Sequence, residues 1–497
     1  MSNRKSRAGK TRRPLVLIGA MLTMFMVAVE ATIVATALPS IVADLGGFDQ
    51  FSWVFAIFLL TQVVAVPIYG RLADLYGRKP MFYSGATIFL LGSTACGFAH
   101  SMLALIIFRA VQGIGAGALQ PTVYTVMGDI YTAEERARVQ GAISGVWGVS
   151  AVAGPLLGAL IVDHLDWPLV FWINLPIGAA AVVLFSLFLH ENVERREHRI
   201  DWQGALLFAI ATSALLLALI QGATLPGWAI VALLVVAAAV GAAFFVQQQR
   251  SSEPMMQFEL WRNRIIATGN LGGLAAGSIM MGVTLILPIY VQGAIGGPPL
   301  AAGLVLGAMS ISWPAATMMG GRLMAWSSYR AVAALGALVL IAGSVFLLFL
   351  TPERGTLWAG AGSLIIGFGM GFTTIVFLVS IQSSVAWEQR GAATASHVFM
   401  RMLGQVLGAA VYGAILNFGL HRRAPDAIGL VDKLMDPIQR RMLGGAEMAE
   451  LIDALAASLH DVYWVSIALS AAALTFALWI PTGLSPRSHA PAAQRVK

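Results

Sequence analysis

Glu30 stands in the middle of an apolar run, Pro14 to Leu38, that is long enough to cross a bilayer, and no basic residue lies within a helical turn of it. A charged side chain near the bilayer centre costs at least ~2.5–3.5 kcal/mol, so such residues face a protein interior or a water-filled cavity and mark ion or substrate paths. Low-dielectric surroundings penalise the charged form of a carboxyl, which suits it to loading and releasing a proton. Arg109, in another apolar run, cannot be neutralised and must find an anion or water; Glu30 is an available partner. An arginine that reaches Glu30 when the site closes would favour the carboxylate and help expel the proton. In a late run His397, Arg401 and Gln405 fall at i, i+4 and i+8, on one helix face. His397 has the chemistry to titrate near neutral pH, and Arg401 to pair across an interface. The competing reading of Glu30 is a buried ion pair that only holds helices together.

The chain that must place these groups has 497 residues, 58% hydrophobic and 11% charged, with mean hydropathy +0.79. Soluble domains carry about 25% charged residues, so the composition predicts an all-α polytopic membrane protein. A spanning helix needs about 20 apolar residues. Fourteen such runs begin near Pro14, Phe51, Met81, Leu103, Val139, Leu169, Gly204, Trp228, Ile266, Leu300, Ala331, Leu357, Ala393 and Asp461. Cys96, the single cysteine, lies inside the third run, which excludes an internal disulfide and makes thiol chemistry an unsuitable function. Residues 1–13 hold six Arg and Lys ahead of a span without a small-residue cleavage site, which reads as a retained first helix behind a basic tail. With that tail in the cytoplasm, 23 of the 31 Lys and Arg lie on the cytoplasmic side, 2 in spans and 6 outside, five of those in the long outer loop 417–460. The positive-inside rule then places both termini in the cytoplasm. These charges are scattered among turns rather than gathered in a stripe, which argues against nucleic acid.

Gly113, Gly115 and Gly117 match Gly367, Gly369 and Gly371 at a constant offset (367 − 113 = 254), which also superposes Glu134 on Glu388, Arg136 on Arg390 and Gly154 on Gly408. Gly70-Arg71-Leu72 matches Gly321-Arg322-Leu323 at a nearby offset (321 − 70 = 251). Both copies start on the same side of the membrane, so the repeat is parallel. It divides the chain into a six-helix half over 14–190, a cytoplasmic linker 191–203, an inserted hairpin 204–248 without embedded charge, a second linker 249–265, a second six-helix half over 266–482 that includes the outer loop, and a tail 483–497. The outer loop ends in Met448, Leu451, Ile452, Leu455 and Leu459, a stripe at helical spacing that predicts a short helix on the outer membrane surface.

Between the second and third runs stands Gly70-Arg71-Leu72-Ala73-Asp74-Leu75-Tyr76-Gly77-Arg78-Lys79. Gly70 and Gly77 allow tight backbone approach. Asp74 is placed to accept from arginine and from a neighbouring helix N-terminus, a latch that can close one state. The second copy lacks the acid, so the latch is expected to be one-sided. Arg109-Ala110-Val111-Gln112-Gly113 puts a membrane arginine before a glycine-rich face. Gly145, Gly148, Gly154-Pro155 and Gly158 give the fifth run small residues for close helix approach and a bend. These three stretches resemble the loop motif, the membrane-arginine motif and the exporter-associated motif of the major facilitator superfamily, the last with Ala159 where the family pattern has a second glycine. Glu30-Ala31-Thr32-Ile33-Val34-Ala35-Thr36-Ala37-Leu38-Pro39 and Trp172-Ile173-Asn174-Leu175-Pro176-Ile177-Gly178 are similar to fourteen-helix drug:proton antiporters of the EmrB/QacA type, many of which carry Asp in place of Glu30.

The resemblance implies the major facilitator fold, two six-helix halves plus a two-helix insert, in a bacterial inner membrane. It implies a proton-coupled antiporter exporting lipophilic, cationic or neutral compounds by alternating access, with a dedicated exporter of one lipid, siderophore or antibiotic as the alternative. Glu30 would serve proton and substrate in turn, with Arg109 and His397 in the coupling path. Thr61, Gln62, Gln112, Asn270, Tyr290, Gln292 and Arg401 would offer polar contacts to substrate, and Trp147, Trp313, Met309 and Met318 an adaptable apolar wall. Gly70, Arg71, Asp74, Gly77, Arg78, Gly154, Pro155 and Gly158 would make the conformational latch. Partners would be protons, lipophilic small molecules and the bilayer, with a periplasmic adaptor as a further candidate, and no cofactor or metal. An intramembrane enzyme is a distant rival: the sequence holds no H-E-x-x-H or G-x-S-x-G constellation. An ATP-driven pump is disfavoured in the same way, because there is no phosphate-binding G-x-x-x-x-G-K-[ST] loop.

Overall fold

The structure, a computed structural model, describes residues 11–46, 50–191, 201–221, 225–251, 254, 256–423 and 445–481. The far N-terminal tail, most of the 191–203 linker, part of the 249–265 linker and the 483–497 tail lie outside the described residues. Fourteen long helices follow one another: α1 (Arg13–Leu45), α2 (Phe51–Tyr76), α3 (Arg78–Gly97), α4 (Met102–Ile130), α5 (Ala133–His164), α6 (Asn174–Phe188), α7 (Trp202–Ile220), α8 (Gly227–Arg250), α9 (Arg264–Ile289), α10 (Pro299–Trp326), α11 (Tyr329–Leu348), α12 (Gly355–Ser383), α13 (Arg390–Arg423) and α14 (Gly445–Trp479). Among the described residues there is no strand, as expected where lipid can satisfy no free backbone group. Thirteen of these helices are long and apolar enough to cross a membrane. The exception, α3, is diluted by Arg78, Lys79, Ser84, Thr87, Ser93 and Thr94, but its 20 residues pack antiparallel along α4, with Gly85 against Ala118, Phe89 against Gly115 and Gly92 against Gln112.

The repeat is visible in the packing. On α4, Gly113 and Gly117 meet Phe58 and Gln62 of α2 through their carbonyls; on α12, Gly367 and Gly371 meet Met309 and Trp313 of α10 in the same way. The partner positions keep the offset of the loop motif (309 − 58 = 251; 313 − 62 = 251). On the other face of each glycine helix, Gly115 meets Phe89 of α3 and Gly369 meets Leu340 of α11. A side chain at any of these six points would force the helices apart, because a Cβ would fall within 3.0 Å of neighbouring backbone or side-chain atoms. The halves cross-pack symmetrically as well: Gly70 on α2 abuts Ala395 on α13, and Gly321 on α10 abuts Ala137 on α5.

Two large cores result. One, in the α1–α6 half, also takes in Val398, Met402 and Val406 of α13; the other joins α9–α12 to α14. The α7/α8 insert is peripheral: Phe208 contacts Phe244 within the hairpin and Phe399 on α13, while Trp228 and Val231 of α8 are 76% and 60% exposed.

The outer loop differs from expectation at both ends. Helix α13 runs on to Arg423 and α14 begins at Gly445, leaving only 424–444 outside the described residues. Leu451, Leu455 and Leu459 are fully buried against Ile286, Leu287 and Tyr290. The stripe is therefore the first part of a 35-residue final helix, not a helix lying flat on the membrane, because its apolar face has α9 to cover it. At ~1.5 Å per residue this helix is about 50 Å long and overshoots a ~30 Å hydrocarbon layer.

Candidate functional site

Glu30, fully buried on α1, is gripped from two other helices. Arg109 of α4 donates through Nη1 to Oε1. Asn174, at the start of α6, donates through Nδ2 to Oε2 at 2.6 Å. Arg109 is itself held by the Gln112 side chain at 2.8 Å and the Val54 carbonyl at 3.1 Å, with the Phe58 ring 4.1 Å away. Ser93 of α3 closes the network: it accepts from Gln112 (3.1 Å) and Asn174 (2.9 Å) and donates to the Phe171 carbonyl (2.8 Å). Asn174 is the first residue of α6, directly after the short helical turn Leu169–Trp172, and its side chain is buried. Its Oδ1 is buried without a partner; reversing the amide would present that acceptor to a protonated Glu30.

The network occurs in one half only among the described residues. The repeat places Ser363 where Arg109 stands (363 − 109 = 254) and Ser344 where Ser93 stands (344 − 93 = 251), and Ser344 meets only Ser470 at 3.4 Å. In this arrangement Glu30 is not brought to an open substrate path: its two oxygens accept from Arg109 and Asn174, and the side chain is fully buried inside the α1–α6 half. Gln112 is likewise fully buried in the network rather than on a substrate path.

The second cluster lies at the end of the bundle that carries Arg71, Arg78, Lys79, Arg136 and Arg390, termed the basic face. Asp74 accepts from the amides of Gly391 (2.8 Å) and Ala392 (2.7 Å), at the start of α13, and pairs with Arg78 at 3.0 Å. Arg78 reaches on to Asp129 (3.0 Å), the Trp387 carbonyl (2.6 Å) and the Trp387 ring (3.8 Å). Gly77 joins α2 to α3 at φ 95°, open only to glycine. Around the repeat axis Arg390 binds Asp129 at 2.6 Å, and its counterpart Arg136 binds Ser383 at 3.2 Å (390 − 136 = 254; 383 − 129 = 254).

The one-sided latch has a local cause. Helix α5 caps itself, with Thr132 and Glu135 forming a capping box. The copy has Ala386 in place of Thr132 (386 − 132 = 254) and cannot form that box, and the first turn of α13 finds its side-chain acceptor in Asp74 of the other half. Every described hydrogen bond between the halves lies at the basic face, which is closed.

The remaining expected residues are dispersed. Gly154 and Gly158 seat α5 on Thr32 and Thr36 of α1, while the Pro155 side chain is outside the described residues. Thr61 is turned onto Gly113, and Gln62 is buried beside Gly117. His397 is buried, its Nδ1 3.1 Å from the Gly269 carbonyl; Asn270 donates to Ser396 at 2.8 Å. Both therefore tie α13 to α9. Tyr290 and Gln292 sit in a π-helical turn at the far end of α9. Tyr290 is fully buried and donates to the Leu350 carbonyl, so it belongs to a core rather than a binding surface. Trp147, Trp313, Arg401 and Gln405 are partly exposed along the helices where the halves meet, Met309 is buried beside them, and Met318 lies against Gly141. Sequence reasoning missed Ser93, Asn174, Asp129, Glu191 and Gln382. Glu191 accepts the Arg78 and Lys79 amides at 2.9 Å each, and Gln382 donates to the Tyr124 carbonyl at 3.1 Å across the halves. Asn174 was within a recognised stretch; the others look like ordinary loop or span residues until the helices are packed.

Two pseudo-symmetric helical halves, a buried acid–guanidinium network in one of them and a polar latch between them define a polytopic membrane transporter rather than an enzyme. The chain belongs to the Major Facilitator Superfamily, whose family model matches residues 20–409. It is 34% identical over 470 residues to multidrug resistance protein 3 of Bacillus subtilis, covering 91% of this chain and 92% of that one. It is also 34% identical over 416 residues to the multidrug transporter protein MdtP of the same organism, covering 83% and 77%. The crystal structure of the human organic anion transporter MFSD10 superposes with a TM-score of 0.63 over 93% of this chain and 100% of that one at 13% identity, a likeness of fold alone.

Proposed function

We propose that this protein is a proton-coupled efflux antiporter that exports lipophilic small molecules by alternating access. The observation that carries the reading is Glu30, a fully buried carboxylate in the middle of α1, held at its two oxygens by Arg109 and Asn174. A carboxyl so enclosed changes charge only when the helices around it move, which ties proton exchange to the state of the transporter. The excess of Arg and Lys at the basic face supports an orientation with that face and both termini in the cytoplasm, and the bacillary relatives support a bacterial inner membrane. The glycine-rich packing of α5 on α1 and the names of the bacillary relatives support export over import. The expectation of cationic or neutral substrates that displace the proton directly from Glu30 requires Glu30 to be open to substrate. With Glu30 enclosed, proton and drug occupy separate places and are coupled through helix movement.

The test is proton release from the detergent-solubilised protein on adding a panel of cationic, neutral and anionic lipophilic dyes, wild type beside Glu30→Gln. Release by at least one dye class that vanishes in the variant is the expected result. Equal release from both proteins would remove Glu30 from the coupling step.

A further inference from the structure

Away from the helix ends, the described spans α1 to α13 hold two guanidinium groups, Arg109 and Arg401, and one carboxylate, Glu30, while Asp461 on α14 pairs with Arg423 at 2.7 Å. Arg109 shows what a structural arginine looks like in this protein: buried, ion-paired, hydrogen-bonded to two further oxygens and stacked on Phe58. Arg401 has none of this. Among the described residues it forms no ion pair and no hydrogen bond, and its side chain is partly exposed. It lies eleven residues into α13 (401 − 390 = 11), and at ~1.5 Å per residue that is about 16 Å from the basic face, near the middle of a ~30 Å hydrocarbon layer.

Its direction follows from its neighbours. One turn to either side, His397 meets the Gly269 carbonyl and Gln405 donates to the Met280 sulfur at 3.4 Å, both on α9. Val398 and Met402, on the adjoining face, pack into the core of the α1–α6 half. Arg401 thus stands in the angle between α9 and the opposite half, where the halves meet. The repeat puts Trp147 of α5 at the equivalent position (401 − 147 = 254), and its indole Nε1 is a buried donor without a partner among the described residues. Two related positions on the two helices that flank the path each offer an unsatisfied donor, one of them permanently charged.

A lone guanidinium at this depth needs an anion or water, and an anion is the stronger partner. Glu30 is committed to Arg109 and Asp461 to Arg423, so the protein does not supply one. We infer that the transported substrate does: an amphipathic organic acid or zwitterion whose carboxylate, phosphate or sulfonate pairs with Arg401 while its apolar body lies against the indoles of Trp147 and Trp313. This rests on the efflux reading and names its substrate class. Arg401 is the specificity residue and takes no part in proton transfer.

The test is equilibrium binding to the full-length protein in uncharged detergent, read by the fluorescence of 11-(dansylamino)undecanoic acid, with its methyl ester as the neutral twin. Wild type should bind the acid roughly tenfold or more tighter than the ester, the size expected for one charge-assisted contact. Arg401→Gln should reduce the acid to the ester's affinity and leave the ester unchanged, and Arg401→Lys should keep part of the preference. Equal binding of acid and ester by wild type, or a preference that survives in Arg401→Gln, would overturn the assignment; if that variant does not fold, the wild-type comparison and Arg401→Lys decide it. Nanodiscs of phosphatidylcholine and phosphatidylglycerol separate the two sources of an oxyanion. Acid binding unaffected by phosphatidylglycerol supports a substrate site, and suppression by it would give Arg401 to a lipid headgroup and sink the inference. Equilibrium binding needs no proton gradient, so a failed Glu30 experiment and a failed Arg401 experiment remain distinct.

Discussion

Asp74→Asn is the most direct probe of the closed basic face. Asp74 is 8% exposed and spends one carboxylate oxygen on each of two α13 amides, at 2.8 and 2.7 Å, while its charge faces Arg78 at 3.0 Å. Asparagine keeps the shape and one acceptor but turns an amide donor toward the other N–H and removes the charge. A hydrogen bond to a charged group is worth ~1.5–3 kcal/mol and a neutral one about half that, so losing one bond and weakening the other costs roughly 2–4 kcal/mol. All of it falls on the closed form, since the two amides and Asp74 lie in different halves. At tenfold per 1.4 kcal/mol the closed-to-open ratio should drop ~30- to 1000-fold. The assay is the distance distribution between spin labels at Tyr76 and Glu388, both exposed, in a Cys96→Ala background. Wild type should give one short distance and the variant a longer or bimodal one. An unchanged distribution from a variant that melts normally would refute the claim that Asp74 holds the halves together.

Three further outcomes follow from particular contacts. Ala386 has almost the backbone of the Thr132 cap, φ −66°, ψ 165° against φ −67°, ψ 162°, and Gln389 stands where Glu135 does. Ala386→Thr should therefore complete a capping box on α13 and stabilise the purified protein by ~1 kcal/mol, read as a raised Tm. Asn174→Leu removes the 2.6 Å bond to Glu30, worth ~1.5–3 kcal/mol. Proton-driven uptake into proteoliposomes should fall by about tenfold or more while equilibrium binding moves less than about twofold, and parallel losses in both would deny Asn174 its positioning role. Leu455→Ala opens a cavity at a fully buried site and should destabilise by ~2–5 kcal/mol; a negligible change in Tm would return residues 448–459 to the membrane surface.

The class of the protein, its span pattern and its duplication were readable from the chain because lipid charges its cost residue by residue. Each span must be apolar over about 20 residues, and each close crossing needs a glycine at a definite spacing, so Gly113, Gly115 and Gly117 and their copies are written locally. Glu30 and Arg109 stood out for the same reason, as expensive residues in apolar runs. Their surroundings were not readable. Ser93, Gln112 and Asn174 converge on Glu30 only because α3, α4 and α6 take particular rotations about α1, and those rotations sum many small packing preferences spread over the whole half. The same holds for Asp74, whose partners are backbone amides 317 and 318 residues away. Met448 to Leu459 has a plain helical period, but whether α9 or a membrane surface covers its apolar face depends on where α14 lies. The sequence thus determined which residues are costly in a membrane and how the halves repeat. Tertiary structure alone decided which of those residues answer one another, because a polar group's partner is set by the angles between helices and not by any property of the segment that carries it.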